Sequence, residues 1–153
     1  MSFEALFDSV REEYPGRRIR IVFGCPGRKA QRRRRELGEA AGASCDKVYL
    51  TEEDAGEEPV LDICREIEPW VTGRGCACEI IPDRGEAIHR AIEEADADTV
   101  LLLTGKGRET RQKRGLQYID TPSDVAYVER WLGGQGDADE SPAADAQNTG
   151  TAE

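Results

Sequence analysis

Thr99-Val100-Leu101-Leu102-Leu103-Thr104 is the stretch that decides the fold, because its four central residues are all aliphatic. Such a short, unbroken run is typical of a parallel strand that is buried on both faces, whereas a half-buried strand alternates apolar and polar residues. The run is too short to span a membrane. We therefore expect a strand from Thr99 to Thr104 in the middle of a parallel sheet.

Strands and helices alternate on the N-terminal side of this run. Apolar residues at helical spacing behind a capping Ser2 predict the first helix, and the capping box formed by Asp83 and Glu86 predicts another. The predicted elements are a helix from Phe3 that ends before Pro15, a strand at 18–23, a helix at 31–43, a strand at 47–51, a helix from Pro59 to about Trp70, a strand at 78–81 and a helix that begins at Asp83.

The C-terminal side of the run predicts a hairpin and one more helix. Arg114-Gly115 has the character of a hairpin turn that leads into a strand at 117–119. The segment 121–124 caps a last helix, which we expect to bury Val125, Val128 and Leu132. The fold class is therefore α/β, a Rossmann-like, mostly parallel open sheet with helices on both faces and a short hairpin near the C-terminal end.

The length of 153 residues favours one domain, which we place at 1–132. Residues 133–153 contain no Leu, Ile, Val or aromatic side chain and carry five of the 31 acidic residues, so we expect a disordered acidic tail. The net charge of −10 argues against general affinity for nucleic acids or anionic membranes. No leader or membrane span is visible, and the five cysteines fit reduced, buried thiols, so a cytoplasmic location is expected.

Charged loops follow three of the predicted strands, and the carboxyl ends of parallel strands meet at one edge of a sheet. The segments 28–35 and 106–114 hold 11 of the 21 Lys and Arg residues. Together they favour an anionic ligand, although each run alone is also compatible with a solvated surface. The acidic segment 52–58 offers carboxylates to an ammonium group, so the edge suits a molecule that carries both charges.

The sequence predicts no catalytic group and no metal site in this chain. Gly24-Cys25-Pro26-Gly27 lacks the spacing of a triphosphate-binding loop, and no nucleophile lies beside a base in any motif. The single histidine, His89, falls on the surface of a predicted helix. One histidine and one close cysteine pair, Cys76 and Cys78, leave a zinc site short of ligands.

Several of these motifs resemble the carboxyl-terminal domain of Mur ligases, in particular of the ligases that add the third amino acid to UDP-N-acetylmuramoyl-L-alanyl-D-glutamate. The segment Leu103–Thr110, Leu-Thr-Gly-Lys-Gly-Arg-Glu-Thr, is similar to the Gly-Lys-Gly-His-Glu motif of that family, with Arg108 in place of His. Residues 21–25, 48–51 and 81–88 support the resemblance, which covers about residues 2–132.

The resemblance implies part of an ATP-dependent ligase of peptidoglycan synthesis. In that family, ATP and Mg²⁺ and the UDP-sugar dipeptide are held by two other domains, while the third domain presents the incoming amino acid. This chain has neither their phosphate loop nor the hinge motif that reaches the nucleotide. We therefore expect it to hold no cofactor and to form no peptide bond by itself.

The resemblance also implies a substrate site. Lys29, Glu53, Asp54, Gly105 and Glu109 match substrate-binding positions. The ligases for meso-diaminopimelate carry Asp-Asn-Pro-Arg where this chain has Glu53, Asp54, Ala55 and Gly56. Without that Arg, lysine or ornithine fits better than diaminopimelate.

Three cations, Arg28, Arg33 and Lys106, are candidates for an anion or phosphate contact. Lys106 is equally compatible with a role in making its loop rigid. Glu109 either accepts from the ammonium group of the amino acid or forms a salt bridge with Arg108 or Arg111.

Two other functions are compatible with the same residues. One is a stand-alone α/β module that keeps the fold and binds anions or a partner protein. The other is RNA binding through the arginine run, which the acidic composition disfavours. A hinge motif and a phosphate loop encoded in frame upstream of Met1 would favour the ligase.

Overall fold

The computed structural model describes residues 2–28 and 31–133, and all structural statements refer to these residues. Helices and strands alternate along the chain in the predicted order, followed by the hairpin and a last helix. The elements are α1 Phe3–Glu13, β1 Arg18–Phe23, α2 Gln31–Ser44, β2 Lys47–Leu50, α3 Val60–Thr72, β3 Ala77–Ile80, α4 Arg84–Glu94, β4 Thr99–Leu103, β5 Arg111–Arg114, β6 Gln117–Asp120 and α5 Asp124–Val128, which continues as one π-helical turn over Glu129–Gly133.

Four parallel strands form the main sheet in the order β3-β2-β1-β4. The register places Ile21 of β1 between Val48 of β2 and Leu102 of β4. Each connection between neighbouring parallel strands contains a helix, as a parallel sheet requires. The predicted α/β fold class with a mostly parallel sheet is confirmed.

The prediction that the Thr99–Thr104 strand lies in the middle of the sheet is wrong. Within the described part of the chain, β4 pairs only with β1, and it is the last strand of the sheet. Its side chains are nevertheless packed on both faces: Val100 and Leu102 join one core, and Leu101 and Leu103 join the other. Helices above and below a strand are enough to require an unbroken apolar run, whether or not another strand lies beside it.

The helices cover both faces of the sheet. The larger core lies on the face covered by α1, α2 and α3, with Phe7, Ile21 and Ile63 fully or almost fully buried. The smaller core lies on the face covered by α4 and α5, where Ala87 and Ile88 pack against Val22 and Tyr49 of the sheet. The two-sided arrangement agrees with the sequence prediction.

The predicted helix starts are confirmed, because capping is a local interaction. The side chains of Ser2, Asp83 and Ser123 each accept a hydrogen bond from the backbone N–H three residues later, at 3.0–3.1 Å. Pro59 differs slightly from the prediction, since it is the N-cap of α3 rather than its first helical residue.

The end of the last helix departs from the prediction. α5 ends at Val128, and the next turn is π-helical, which rotates the following side chains relative to an α-helix. Leu132 is therefore exposed, while Trp131 packs against the smaller core. Except for Gly133, the predicted disordered tail 133–153 lies outside the described residues.

The hairpin β5–β6 is a separate two-stranded antiparallel sheet, with Gln112 opposite Ile119 and Lys113 opposite Tyr118. Its strand β6 is exposed along its whole length, whereas Gln112 of β5 is buried. The hairpin contacts the rest of the domain through a parallel bridge between Arg114 and Gly56, a residue of the loop after β2.

Candidate functional site

The loops after β1, β2 and β4 meet at the carboxyl edge of the sheet. The chain runs from β1 outward to β3 and then crosses back to β4 on the other side of β1, so the strand order reverses between β1 and β4. Such a reversal opens a crevice in open α/β sheets. The loops touch closely: a Cβ on Gly24 would lie 2.2 Å from the carbonyl oxygen of Thr51. The convergence expected from the sequence is therefore present.

A cleft of about 300 Å³ lies at this reversal. Its walls come from the start of α1, the β1 loop, α2, the β2 loop and the β4 loop. The described lining residues are Phe3, Leu6, Gly24, Cys25, Pro26, Arg33, Leu37, Glu53, Thr104 and Gly105. Among them only Arg33 and Glu53 are charged, so one cation and one anion face a largely apolar space.

Glu53 is the most perturbed acid of the site. Burial raises the pKa of its carboxyl group to about 7, and the negative charges of Asp54 and Glu109 add to this, while Arg84 and Lys106 oppose it. Within residues 2–28 and 31–133, no group donates a hydrogen bond to this carboxylate. A partly buried acid with a raised pKa and no donor among the described residues, at the wall of a cleft, is typical of a ligand-binding group.

Asp54 lies next to Glu53, but its carboxylate is already occupied. Lys106 Nζ donates to both of its oxygens at 2.9 Å, and the backbone N–H of Lys113 donates to Oδ1 at 2.8 Å. Asp54 also adopts a positive φ of 52°, which few residues other than glycine tolerate. Asp54 therefore joins the β2 loop to the β4 loop.

Lys106 is buried between two acids, Asp54 and Glu109, at 2.9 Å and 2.8 Å. The ion pair with Asp54 joins the β4 loop to the β2 loop, and a phosphate contact of Lys106 stays a prediction. The ion pair of Glu109 is with Lys106, rather than with Arg108 or Arg111. The side chain of Glu109 is exposed and stands outside the wall of the cleft.

Gly105 lies against Glu53. The φ of Gly105 is +110°, a backbone conformation that requires glycine, and a Cβ at this position would be 2.5 Å from Glu53 Oε1, so it would displace that carboxylate. Gly105 thus lets the β4 loop approach the Glu53 carboxylate directly.

The basic run after β1 divides into three groups. Arg33 is exposed and lines the cleft, whereas Arg28 is exposed and approaches Glu57 at 3.9 Å. Arg34 is fully buried and binds Glu58 and Glu66, so it does not face a ligand. The Arg34 guanidinium also lowers the pKa of Glu58 to about 2. Lys29 lies outside the described residues.

Arg84 was not predicted from the sequence, although it organises the whole edge. It is almost fully buried and donates to both carboxylate oxygens of Asp124 at 2.7 Å. It also donates to the carbonyl oxygens of Glu52 at 3.1 Å and Thr104 at 2.7 Å. The available signal was a cation in the first turn of α4, where the helix dipole disfavours positive charge.

Two hairpin residues were also missed. Gln112 is buried, and its Oε1 accepts from the backbone N–H of Asp54 at 2.9 Å. Arg114 donates to both oxygens of Glu52, at 3.0 Å and 2.6 Å. Both partners lie about sixty residues earlier in the chain, so no local pattern indicates these contacts.

Metal-binding and nucleophilic side chains are ungrouped or buried in the described part of the chain. Across residues 2–28 and 31–133, no three His, Cys, Asp or Glu side chains are grouped as a metal ion would need. Four cysteines are buried and Cys78 is partly buried, and burial raises the pKa of Cys64 to about 12. His89 stacks on Trp131 at the far face of α4, with ring centroids 3.8 Å apart. None of the described helices is long and apolar enough to cross a bilayer.

The open parallel sheet and its two-signed cleft define a Rossmann-like ligand-binding domain. The family model described as "Mur ligase, glutamate ligase domain" matches residues 1–107. The chain therefore belongs to the Mur ligase family, and the resemblance to its carboxyl-terminal domain, of the tripeptide-synthetase type, is confirmed.

Curated relatives agree with this family. The chain is 41% identical over 121 residues to a UDP-N-acetylmuramyl-tripeptide synthetase of Lactobacillus delbrueckii subsp. bulgaricus, with 79% of this chain and 23% of that protein covered. It is 34% identical over 134 residues to a UDP-N-acetylmuramoyl-L-alanyl-D-glutamate--L-lysine ligase of Enterococcus faecalis, covering 86% and 26%. It is 36% identical over 114 residues to the corresponding 2,6-diaminopimelate ligase of Caldanaerobacter subterraneus subsp. tengcongensis, covering 74% and 23%.

A solved structure of a UDP-N-acetylmuramoyl-L-alanyl-D-glutamate--2,6-diaminopimelate ligase has the same fold. The TM-score is 0.78 at 24% identity, and the match covers 88% of this chain and 27% of that one. The chain thus spans about a quarter of the length of the proteins it matches.

Proposed function

We propose that this chain is the amino-acid-presenting domain of an ATP-dependent UDP-N-acetylmuramoyl-tripeptide synthetase of peptidoglycan biosynthesis. The complete ligase would join a diamino acid to the D-glutamate side-chain carboxylate of the UDP-sugar dipeptide. The observation that carries the proposal is the cleft at the strand reversal, where Glu53 and Arg33 face one apolar space.

The two charges suit the two ends of an amino acid. A carboxylate such as Glu53, without a described hydrogen-bond donor, gains about 1.5–3 kcal/mol from a charge-assisted hydrogen bond with an ammonium group. Arg33 offers a guanidinium to a carboxylate or phosphate oxygen. Of the other predicted contacts, Gly105 lies against Glu53, whereas Asp54 and Glu109 would have to share their carboxylates with Lys106.

We propose lysine or ornithine rather than diaminopimelate as the substrate. The relatives include ligases for both lysine and diaminopimelate, so identity does not separate the two. Charge favours lysine or ornithine, because Gly56 has no side chain to pair with a second carboxylate and Glu53 would repel it. An unpaired buried charge costs about 3–5 kcal/mol, which corresponds to a selectivity of ~10²–10³.

Residues 2–28 and 31–133 form no triphosphate-binding loop. ATP, Mg²⁺ and the UDP-sugar dipeptide would therefore be bound by the rest of the ligase, where ATP activates the D-glutamate carboxylate. In this proposal the chain contributes binding and orientation of the amino acid, and it catalyses nothing alone.

Two assays test the proposal. The isolated chain, given ATP, Mg²⁺, the UDP-sugar dipeptide and lysine, should consume no ATP. The complete ligase that contains this chain should use lysine or ornithine with a kcat/KM at least about a hundredfold above that for meso-diaminopimelate. Turnover by the isolated chain would disprove the proposal that ATP is bound and used by the rest of the ligase. A preference for diaminopimelate would disprove the substrate assignment.

A further inference from the structure

We infer that the hairpin β5–β6 is the positioning element of the amino-acid site: Gln112 and Arg114 hold the loop after β2 so that the Glu53 carboxylate faces the cleft. The inference rests on the proposed function and adds to it a specific role for the hairpin. Neither residue lines the cleft, so both act through the loop they hold.

Backbone and side-chain hydrogen bonds join the loop after β2 to the hairpin. Gly56 donates its N–H to the carbonyl oxygen of Lys113 at 2.9 Å and accepts from the N–H of Gly115 at 2.7 Å. Two residues earlier, the N–H of Asp54 donates to Gln112 Oε1 at 2.9 Å. The loop is therefore fixed against β5 at Asp54 and at Gly56.

The residues of the loop contact two different parts of the domain. Glu52, Asp54 and Gly56 contact the hairpin, whereas Glu53 and Ala55 face the body of the domain. Arg114 binds Glu52 and Gln112 binds the backbone of Asp54, so the residues on both sides of Glu53 are fixed by the hairpin. Fixing both neighbours restricts the direction in which the Glu53 side chain points.

Gln112 is suited to this role because it is buried and polar. Its side chain is only 3% exposed, so losing the hydrogen bond would leave the Asp54 N–H without an acceptor in a dry environment. Arg114 fixes Glu52, the residue before Glu53, by donating two hydrogen bonds to its carboxylate. The Glu52 side chain is 6% exposed. The hairpin therefore binds both residues adjacent to Glu53, namely Glu52 and Asp54.

The test replaces Gln112 by Met, which keeps the length of the side chain and removes the acceptor. The matched control is Gln117→Met on the exposed strand of the same hairpin. The ¹³C resonance of the Glu53 carboxyl group, assigned with Glu53→Gln, is followed against pH in the full 153-residue chain, and lysine affinity is measured by NMR titration. Thermal unfolding of each variant is recorded as well.

We expect Gln112→Met to move the titration midpoint of Glu53 from about 7 toward the ordinary 4.5 and to weaken lysine binding about tenfold or more. Gln117→Met should change neither. A merely structural role would lower the melting temperature while the Glu53 titration stayed in place, and that result would overturn the inference.

A second variant covers the case in which Gln112→Met does not fold. Arg114 is 44% exposed, so Arg114→Gln can release Glu52 without opening the core, and it should shift Glu53 in the same direction. An unchanged Glu53 titration there would also refute the positioning role. If the wild-type chain binds no lysine but Glu53 still shifts in the variants, the positioning role stands and the proposed function fails.

Discussion

Replacing Arg84 by Met should destabilise the domain more than any other single change at the carboxyl edge. The variant removes both hydrogen bonds to the Asp124 carboxylate, which is buried with a side-chain exposure of 4%. It also leaves the carbonyl oxygens of Glu52 and Thr104 without their donor. The main cost is the uncompensated charge on Asp124, because that carboxylate cannot reach water.

The expected loss follows from the burial of both partners. Breaking a buried ion pair by removing one partner costs about 3–5 kcal/mol. For a domain of this size, each kcal/mol corresponds to roughly 3–4 °C in melting temperature, so the expected decrease is about 10–20 °C. Circular dichroism during thermal unfolding measures it directly.

The matched control is Arg90→Met on the same helix. Arg90 pairs with Glu79, but it is 46% exposed, so its removal should cost less than about 1 kcal/mol. The double variant Arg84→Met with Asp124→Leu should regain much of the loss, since the buried charge is then gone. If Arg84→Met and Arg90→Met lower the melting temperature equally, the assignment of Arg84 as the organising residue is refuted.

Three further predictions concern the cleft and its neighbours. Gly105→Ala should weaken lysine binding because its Cβ, 2.5 Å from Glu53 Oε1, would displace that carboxylate. Gly107→Ala, also at positive φ but with open space around its Cβ, should leave binding unchanged, and equal effects of the two variants in NMR titrations would contradict this. Since the Glu53 pKa is raised from 4.5 to about 7, ionising this carboxyl group costs stability as pH rises through that range. Glu53→Gln should therefore be about 3 kcal/mol more stable than wild type at pH 8 and equally stable at pH 4 in urea unfolding, and equal stability at pH 8 would contradict this. The pKa of Glu58 is lowered to about 2, so its ion pair with Arg34 stabilises the fold above pH 4.5 and this contribution is lost as pH falls toward 2. In Glu58→Gln, the free energy of unfolding should therefore decrease less between pH 4.5 and pH 2 than in the wild type. An unchanged pH dependence in that range would disprove the assignment.

Local interactions explain why much of the fold was predictable. A cap needs only the residue at the start of a helix and the backbone three residues later, so Ser2 and Asp83 identify helix starts directly from the sequence. The alternation of strands and helices determines the parallel sheet. The order of the strands within the sheet could not be predicted in this way. The apolar run at 99–104 indicates that both faces of the strand are covered by helices, but it does not indicate which strands lie beside it.

The site was predictable to the level of loops but not of partners. The rule for strand reversals places the three loops together, yet it does not say which charges neutralise each other. Lys106 finds Asp54 across 52 positions in the chain, and Arg34 turns into the interior while Arg33, its neighbour, reaches the cleft. Such choices depend on burial and on tertiary distance, which a sequence pattern does not contain.

The central claim is that the cleft beside Glu53 binds the side-chain ammonium group of a diamino acid. NMR titration of the ¹⁵N-labelled chain at pH 8 tests this claim most directly. Lysine is compared with norleucine, which has the same chain length and no side-chain ammonium. The account predicts lysine-induced shifts at Gly24, Glu53 and Gly105, an affinity at least about tenfold above that of norleucine, and loss of this preference in Glu53→Gln. Equal binding of the two amino acids, or shifts confined to another surface, would contradict it.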